Sequence, residues 1–262
     1  MTQLYDAIGS TFHATRRSDP SIVALLREEL ELSADGCYLD LGCGTGNYTA
    51  ALQALGGAWH GLDSSPSMLE RAAQQSPSIR WTCAGAESLP FPDATFQSVM
   101  CVNAIHLFDI GTSLREARRV LADGRLVIFG AFGEQISGYW LREYFPGMIE
   151  RCAKLMPSLA YSSQQLHDNG LELVKIRTYD VTQTLADLFL YSGKQRPWLY
   201  LQPMVRQNMS QFVRWCDRNE LAHGLARLEN DIDSGAFPNV AARYPTLNGD
   251  CAFLVARRAL NV

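Results

Sequence analysis

Asp40-Leu41-Gly42-Cys43-Gly44-Thr45-Gly46-Asn47 is the stretch that decides the reading of this chain. It follows an apolar run, Cys37 to Leu41, that reads as a buried strand. It precedes Tyr48 to Leu55, whose apolar spacing is helical and which stops at Gly56-Gly57. A glycine-rich turn from strand to helix lets backbone approach a ligand closely and aims helix N-terminal N–H groups at it. The spacing is GxGxG, not the GxGxxG of dinucleotide folds.

Working outward, Ala58 to Leu62 reads as a second strand, and Asp63 follows it, 21 positions after Gly42 (63 − 42). A carboxylate there can accept both hydroxyls of a ribose, a feature that nicotinamide and adenosyl cofactors share. Ser65 can N-cap a helix opening at Pro66, with Met68, Leu69, Ala72 and Ala73 turned inward. Further strands are expected at Ile79 to Cys83, Phe96 to Val102 and Arg125 to Gly130, the last after an Asp123-Gly124 turn. Ser113 and Glu116 have capping-box spacing ahead of Leu114, Ala117, Val120 and Leu121.

Beyond residue 131 the pattern loosens. Gly170 to Asp180 and Asp250 to Arg257 read as strands that pair at one edge, with Leu171, Leu173 and Ile176 against Ala252, Leu254 and Ala256 as core faces. Between them lie two amphipathic helical stripes, Leu201-Val205-Met209-Phe212-Cys216 and Leu221-Leu225-Leu228-Ile232. The aromatic-rich residues 138–156 read as helical. The expected fold is α/β: a Rossmann-like, mostly parallel sheet with an antiparallel edge strand, helices on both faces and a helical cap insertion. The expected division is N-terminal cover helices at 1–34, a cofactor-binding core at 35–181, the cap at 182–248 and the last core strand at 249–262.

Composition sets outer limits. The chain has 262 residues, 47% hydrophobic and 19% charged, enough apolar material for a sizeable core and without the bias of disordered, collagen-like or coiled-coil chains. With 23 basic and 27 acidic residues, and Arg16-Arg17, Arg118-Arg119 and Arg257-Arg258 scattered as solvated pairs, no nucleic-acid partner is expected. Seven cysteines without CxxC spacing point away from disulfides and metal sites. The N-terminus lacks a signal pattern and no run reaches membrane-spanning length, so a cytoplasmic setting is expected.

Four motifs in order resemble the class I S-adenosylmethionine-dependent methyltransferases, in particular the small-molecule branch that includes ubiquinone/menaquinone methyltransferases. They are LDLGCGTG at 39–46, GLDSSPSML at 61–69, AESLPFPDATF at 86–96 and EARRVLADGRLVI at 116–128. The resemblance implies that Gly42, Gly44 and Gly46 admit the methionine portion of S-adenosylmethionine and that Asp40 reaches its ammonium directly or through water. It implies that Asp63 holds the ribose, that Met68 lies on the adenine face and Ala86 at the adenine edge, and that Asn103 offers its carbonyl near the ammonium. Two positions depart from the pattern. Gly85 stands where many relatives carry an adenine-binding Asp, leaving Glu87 or water to take over, and Gln97 replaces an Asp at the start of the fourth strand.

The activity this implies is in-line transfer of a methyl group to a small-molecule acceptor, with S-adenosylhomocysteine as product and no metal. The chemistry needs alignment and exclusion of water more than acid catalysis. An oxygen nucleophile holding a proton calls for a base. His106, after the fourth strand, is the first choice and His13 the second. Tyr5, Phe12, Tyr139 and Trp140 are expected to wall the acceptor. Two other readings stay open: a non-catalytic adenosyl-binding module that engages a partner protein, and a nicotinamide-dependent oxidoreductase, which the GxGxG spacing disfavours.

Overall fold

The computed structural model describes residues 15–246 and 248–259. Seven strands form one sheet in the order β3-β2-β1-β4-β5-β7-β6: β1 (Cys37–Leu41), β2 (Ala58–Asp63), β3 (Arg80–Cys83), β4 (Ser98–Val102), β5 (Arg125–Gly130), β6 (Leu171–Tyr179) and β7 (Cys251–Arg258). The first five run parallel, and β7 lies antiparallel between β5 and β6. The antiparallel strand therefore sits one place in from the edge. Residues Cys251 to Ala256 of β7 are fully buried. The outer strand β6 keeps Leu171 buried but leaves Ile176 42% exposed, so the expected core face of β6 is only partly realised. An edge strand has one neighbour and a bulge between Leu173 and Lys175, which breaks the alternation.

Helices α1 (Pro20–Glu29), α2 (Asn47–Gln53), α3 (Pro66–Gln75) and α4 (Ile110–Val120) flank the parallel half. Ser65 caps α3 and Pro66 opens it as expected, with Met68, Leu69 and Ala72 buried, whereas Ala73 is exposed. The capping box foreseen at Ser113 and Glu116 does not form. Asp109 caps the helix four residues earlier, accepting from Thr112 N at 2.9 Å, and Glu116 instead accepts from Leu89 N at 2.7 Å and pairs with Arg119. A carboxylate one full turn upstream offers the first N–H groups a stronger acceptor than a hydroxyl that is already inside the helix.

After β5 come α5 (Gly133–Ser137), α6 (Pro146–Leu155) and α7 (Leu159–Asp168). Then, beyond β6, come α8 (Pro203–Gln207), α9 (Ser210–Trp215), α10 (Arg218–Asp233) and α11 (Phe237–Ala241). The single stripe expected from Leu201 to Cys216 is broken in two. Pro203 has no N–H to continue a helix from Leu201, and Asn208 ends α8 by donating to Met204 O at 3.0 Å. Val205, Met209 and Phe212 are buried all the same, in one apolar cluster with Phe129, Val127 and Val255 of the sheet. The insertion thus shares its core with the sheet.

Candidate functional site

The strand order reverses direction between β1 and β4, and at such a switch the carboxyl ends of the strands leave a crevice. A cavity of about 200 Å³ occupies it. Its floor is the turn after β1, which Gly42 and Cys43 anchor by donating to Leu62 O at 2.8 and 3.0 Å. Gly44 has φ +54° and lines the cavity, and a Cβ there would meet no protein atom within 4 Å. Gly46 also needs its positive φ, but a Cβ would strike the Trp81 ring, and Gly46 is not part of the lining. Packing accounts for Gly46, and an open face towards a ligand accounts for Gly44.

Two carboxylates flank this turn. Asp63 Oδ2 accepts from Gly44 N at 2.8 Å and its Oδ1 from Ser65 N at 2.9 Å, so it fixes the loop and borders the cavity at once. Asp40 is 2% exposed; Thr49 donates to its Oδ2 at 2.5 Å, while Oδ1 is buried with no protein partner. Burial, with the Asp63 charge adding to it, pushes the Asp40 carboxyl up to about 7, against the Thr49 hydrogen bond. A buried carboxylate oxygen without a donor, at the edge of a cavity, suits a cationic group.

The other cofactor expectations fall around the same space. Met68, Ala86, Glu87 and Asn103 all border it. Asn103 has φ +54° and a buried Nδ2 without a hydrogen-bond partner. A Cβ on Gly85 would lie 3.0 Å from Glu87 Oε2, while Glu87 Oε1 accepts from Asp109 N at 2.9 Å. Arg16, Tyr48 and Asp187 border the cavity without any sequence expectation. Arg16, read as a solvated charge, instead donates to the buried Asp187 at 2.5 and 3.3 Å, and Tyr48 OH donates to the same carboxylate at 3.2 Å. Asp187 is 1% exposed and needs a cation beside it, which overrides the preference of Arg for water. No spacing in the sequence announces that pair.

A second chamber of about 70 Å³ adjoins the first, sharing Arg16 and Asn103 with it. His106, on the single turn Ile105–Leu107 that follows β4, borders this chamber. Burial, helped by the nearby Arg214 charge, lowers His106 to about 4, so its ring is neutral at physiological pH. Its apolar walls are Phe129, Phe132, Ile136, Phe189, Leu190 and Met209, from β5, α5 and the insertion.

Tyr139 and Trp140 are not brought to either space. Tyr139 OH meets Tyr200 OH at 2.7 Å, Trp140 Nε1 donates to Lys194 O at 3.1 Å, and both border a third, polar cavity beside Lys194 and Asp250. Tyr5, Phe12 and His13 lie outside the described residues. His60 packs edge-on against Phe91 and Phe96, and His167 and His223 are exposed. Among the described residues, no group of three or more His, Cys, Asp or Glu could hold a metal ion, and no helix is long and apolar enough to cross a membrane.

Comparison with known proteins agrees with this geometry. Residues 39–124 match the family model of the methyltransferase domain. A malonyl-[acyl-carrier protein] O-methyltransferase of Halorhodospira halophila is 36% identical over 112 residues, covering 39% of this chain and 38% of that protein. A demethylmenaquinone methyltransferase of Tropheryma whipplei is 32% identical over 135 residues, covering 49% and 56%. The chain thus spans about half or less of the length of these curated relatives. A crystal structure from Anabaena variabilis, described as a candidate methyltransferase of an antibiotic biosynthesis pathway, superposes with a TM-score of 0.83 over 93% of this chain and 98% of that one, at 26% identity. Fold and crevice are those of an open α/β sheet with a cavity at its switch point. Residues 39–124 are thus similar to the methyltransferase domain, and malonyl-[acyl-carrier protein] O-methyltransferases and demethylmenaquinone methyltransferases are among the relatives.

Proposed function

We propose that the protein transfers the methyl group of S-adenosylmethionine to an oxygen of a small molecule held in the His106 chamber. The observation that carries this reading is the unpartnered, buried Asp40 Oδ1 at the glycine-lined cavity, one shared wall away from an apolar chamber with a neutral imidazole. When bound, S-adenosylmethionine supplies an electrophilic methyl on a sulfonium that departs as a neutral thioether. Asp40 would hold its ammonium end, Asp63 its ribose hydroxyls, and Met68 and Ala86 its base. Asn103 and Arg16, common to both spaces, form the wall across which the acceptor oxygen would meet the methyl group.

His106 accepts the acceptor's O–H and takes its proton as the new bond forms. Its neutral state supports that role, since a protonated ring could accept nothing. Residues 182–248 act as the cap: Phe189, Leu190 and Met209 close the chamber against water. That closed apolar chamber favours an enzyme over a binding module, which has no use for it. Seven free cysteines support a reducing, cytoplasmic setting.

The test is incubation with methyl-labelled S-adenosylmethionine and a metabolite extract, followed by mass spectrometry. Label on a small molecule is the expected result. Label on protein or RNA, or failure to bind S-adenosylmethionine in calorimetry, refutes the proposal.

A further inference from the structure

The segment Ala84 to Glu87 follows β3 and borders the glycine-lined cavity at each of its four residues. Ala86 is buried, and with Leu62 and Met68 it gives the cavity an apolar wall. Gly85 is not there for its backbone angle, because its φ lies outside the left-handed region that favours glycine. What its missing side chain leaves free is the relevant point. Apart from its chain neighbours, the one atom of the described residues within 4 Å of a Cβ built on Gly85 is Glu87 Oε2, at 3.0 Å. A side chain at 85 would crowd that oxygen.

Glu87 is exposed, yet its carboxylate is anchored. Its Oε1 accepts from Asp109 N at 2.9 Å, which ties this segment to the residue that caps α4. Its Oε2 accepts from no described residue. One oxygen thus holds the group in place while the other stands beside Gly85 at the cavity wall. A group fixed in this way loses little freedom when it meets a partner. A carboxylate in its ionised form only accepts, so the partner must bring an N–H or O–H. Other carboxylates on the cavity are placed differently: Asp63 and Asp187 have both oxygens engaged by the protein, and Asp40 is buried on β1.

We propose that Glu87 is a specificity residue for the cofactor's base: its Oε2 accepts the exocyclic amino group of adenine, and Gly85 leaves the room that this carboxylate occupies. The pocket then selects a 6-aminopurine nucleoside over purines that lack the amino group. This rests on the methyltransferase reading above, which puts the base beside Met68 and Ala86. The carboxylate for the base comes from position 87 in this chain, with no side chain at 85 to provide one.

The experiment is calorimetry of the full chain with S-adenosylhomocysteine and with its 6-deamino analogue, in which hydrogen replaces the amino group and the ring nitrogens are unchanged. The unaltered protein should prefer S-adenosylhomocysteine by about tenfold or more, the worth of one hydrogen bond to a charged acceptor. Glu87→Gln can still accept from Asp109 N but offers the base an N–H in place of Oε2, and the preference should fall to about twofold or less. In Glu87→Ala it should fall as far, and adding Gly85→Asp to that variant should restore about fivefold or more, since the space beside residue 85 is then vacant. Equal binding of the two ligands by the unaltered protein overturns the proposal without recourse to any variant. A preference undiminished in Glu87→Gln overturns it too, since water or backbone would then read the amino group. No recovery on adding Gly85→Asp overturns the pairing of the two positions. Failure of S-adenosylhomocysteine to bind the unaltered protein at all would instead refute the methyltransferase reading beneath it.

Discussion

Protonation of Asp40 should be visible as a pH-dependent affinity for the cofactor. Its carboxyl, raised to about 7 by burial and by Asp63, is half ionised at neutral pH in the free protein. Only the carboxylate form attracts an ammonium group, so affinity is lost as pH falls through 7. The ionised fraction drops from about one half at pH 7 to about one thirtieth at pH 5.5, which predicts a roughly sixteenfold weaker complex, or about 1.6 kcal/mol. This window avoids the cofactor's own amine, which titrates above it, and His106, which titrates below it.

Calorimetry of S-adenosylhomocysteine binding at both pH values, in buffers of different ionisation enthalpy, reads the affinity and the protons released together. Asp40→Asn should bind more weakly at pH 7 and lose the dependence between 5.5 and 7. Stability should move the other way. A folded-state value raised above the ordinary 3.8 means that the folded protein holds a proton the unfolded chain has released. Stability therefore falls as pH rises from about 4 to 7, by up to about 4 kcal/mol. The amide, which can still accept from Thr49, should relieve most of that cost at pH 8. A flat affinity between pH 5.5 and 7, or the same slope in Asp40→Asn, would refute the reasoning.

Asp63→Ala removes the acceptor for the Gly44 and Ser65 N–H groups as well as the carboxylate meant for the ribose, so cofactor affinity should fall at least a hundredfold. Unchanged binding in a folded variant would place the ligand elsewhere. Arg16→Ala leaves Asp187 buried without its cation and should lower stability by about 3 kcal/mol or more, while Arg16→Met with Asp187→Leu should recover much of the loss; denaturant titration of the cycle decides it. For His106, kcat measured at saturating cofactor should show no acidic limb near the ordinary imidazole value. It should decline only towards pH 4, and a limb at about 6.5 would mean that another group titrates.

The parallel half of the fold was legible because its signals are local. Cys37 to Leu41, the glycine turn and the Ser65-Pro66 start each encode one strand, one tight φ or one cap, and each lies within about ten residues of its consequence. The four motifs that carry the family resemblance fall in the same half, within or beside residues 39–124. Where the reading slipped, a competing contact decided. The Asp109 carboxylate displaced Ser113 as cap, Pro203 split a stripe that periodicity alone joined, and the edge position of β6 left Ile176 in water.

The proposed acceptor side was illegible for a different reason. Its chamber is built where residues 16, 103–106, 129–136, 156 and 189–211 converge, and no short window of sequence contains the geometry. Arg16 and Asp187, 171 positions apart, are each unremarkable alone, and only their meeting beside Tyr48 shows that the N-terminal segment and the insertion are tied together at the glycine-lined cavity. Asp19 repeats the connection, capping α1 through Oδ1 while its Oδ2 accepts from Ala186 N at 2.8 Å. Two carboxylates thus tie the N-terminal segment to the insertion, and because Asp187 also borders the glycine-lined cavity, a change there should disturb cofactor affinity as well as stability.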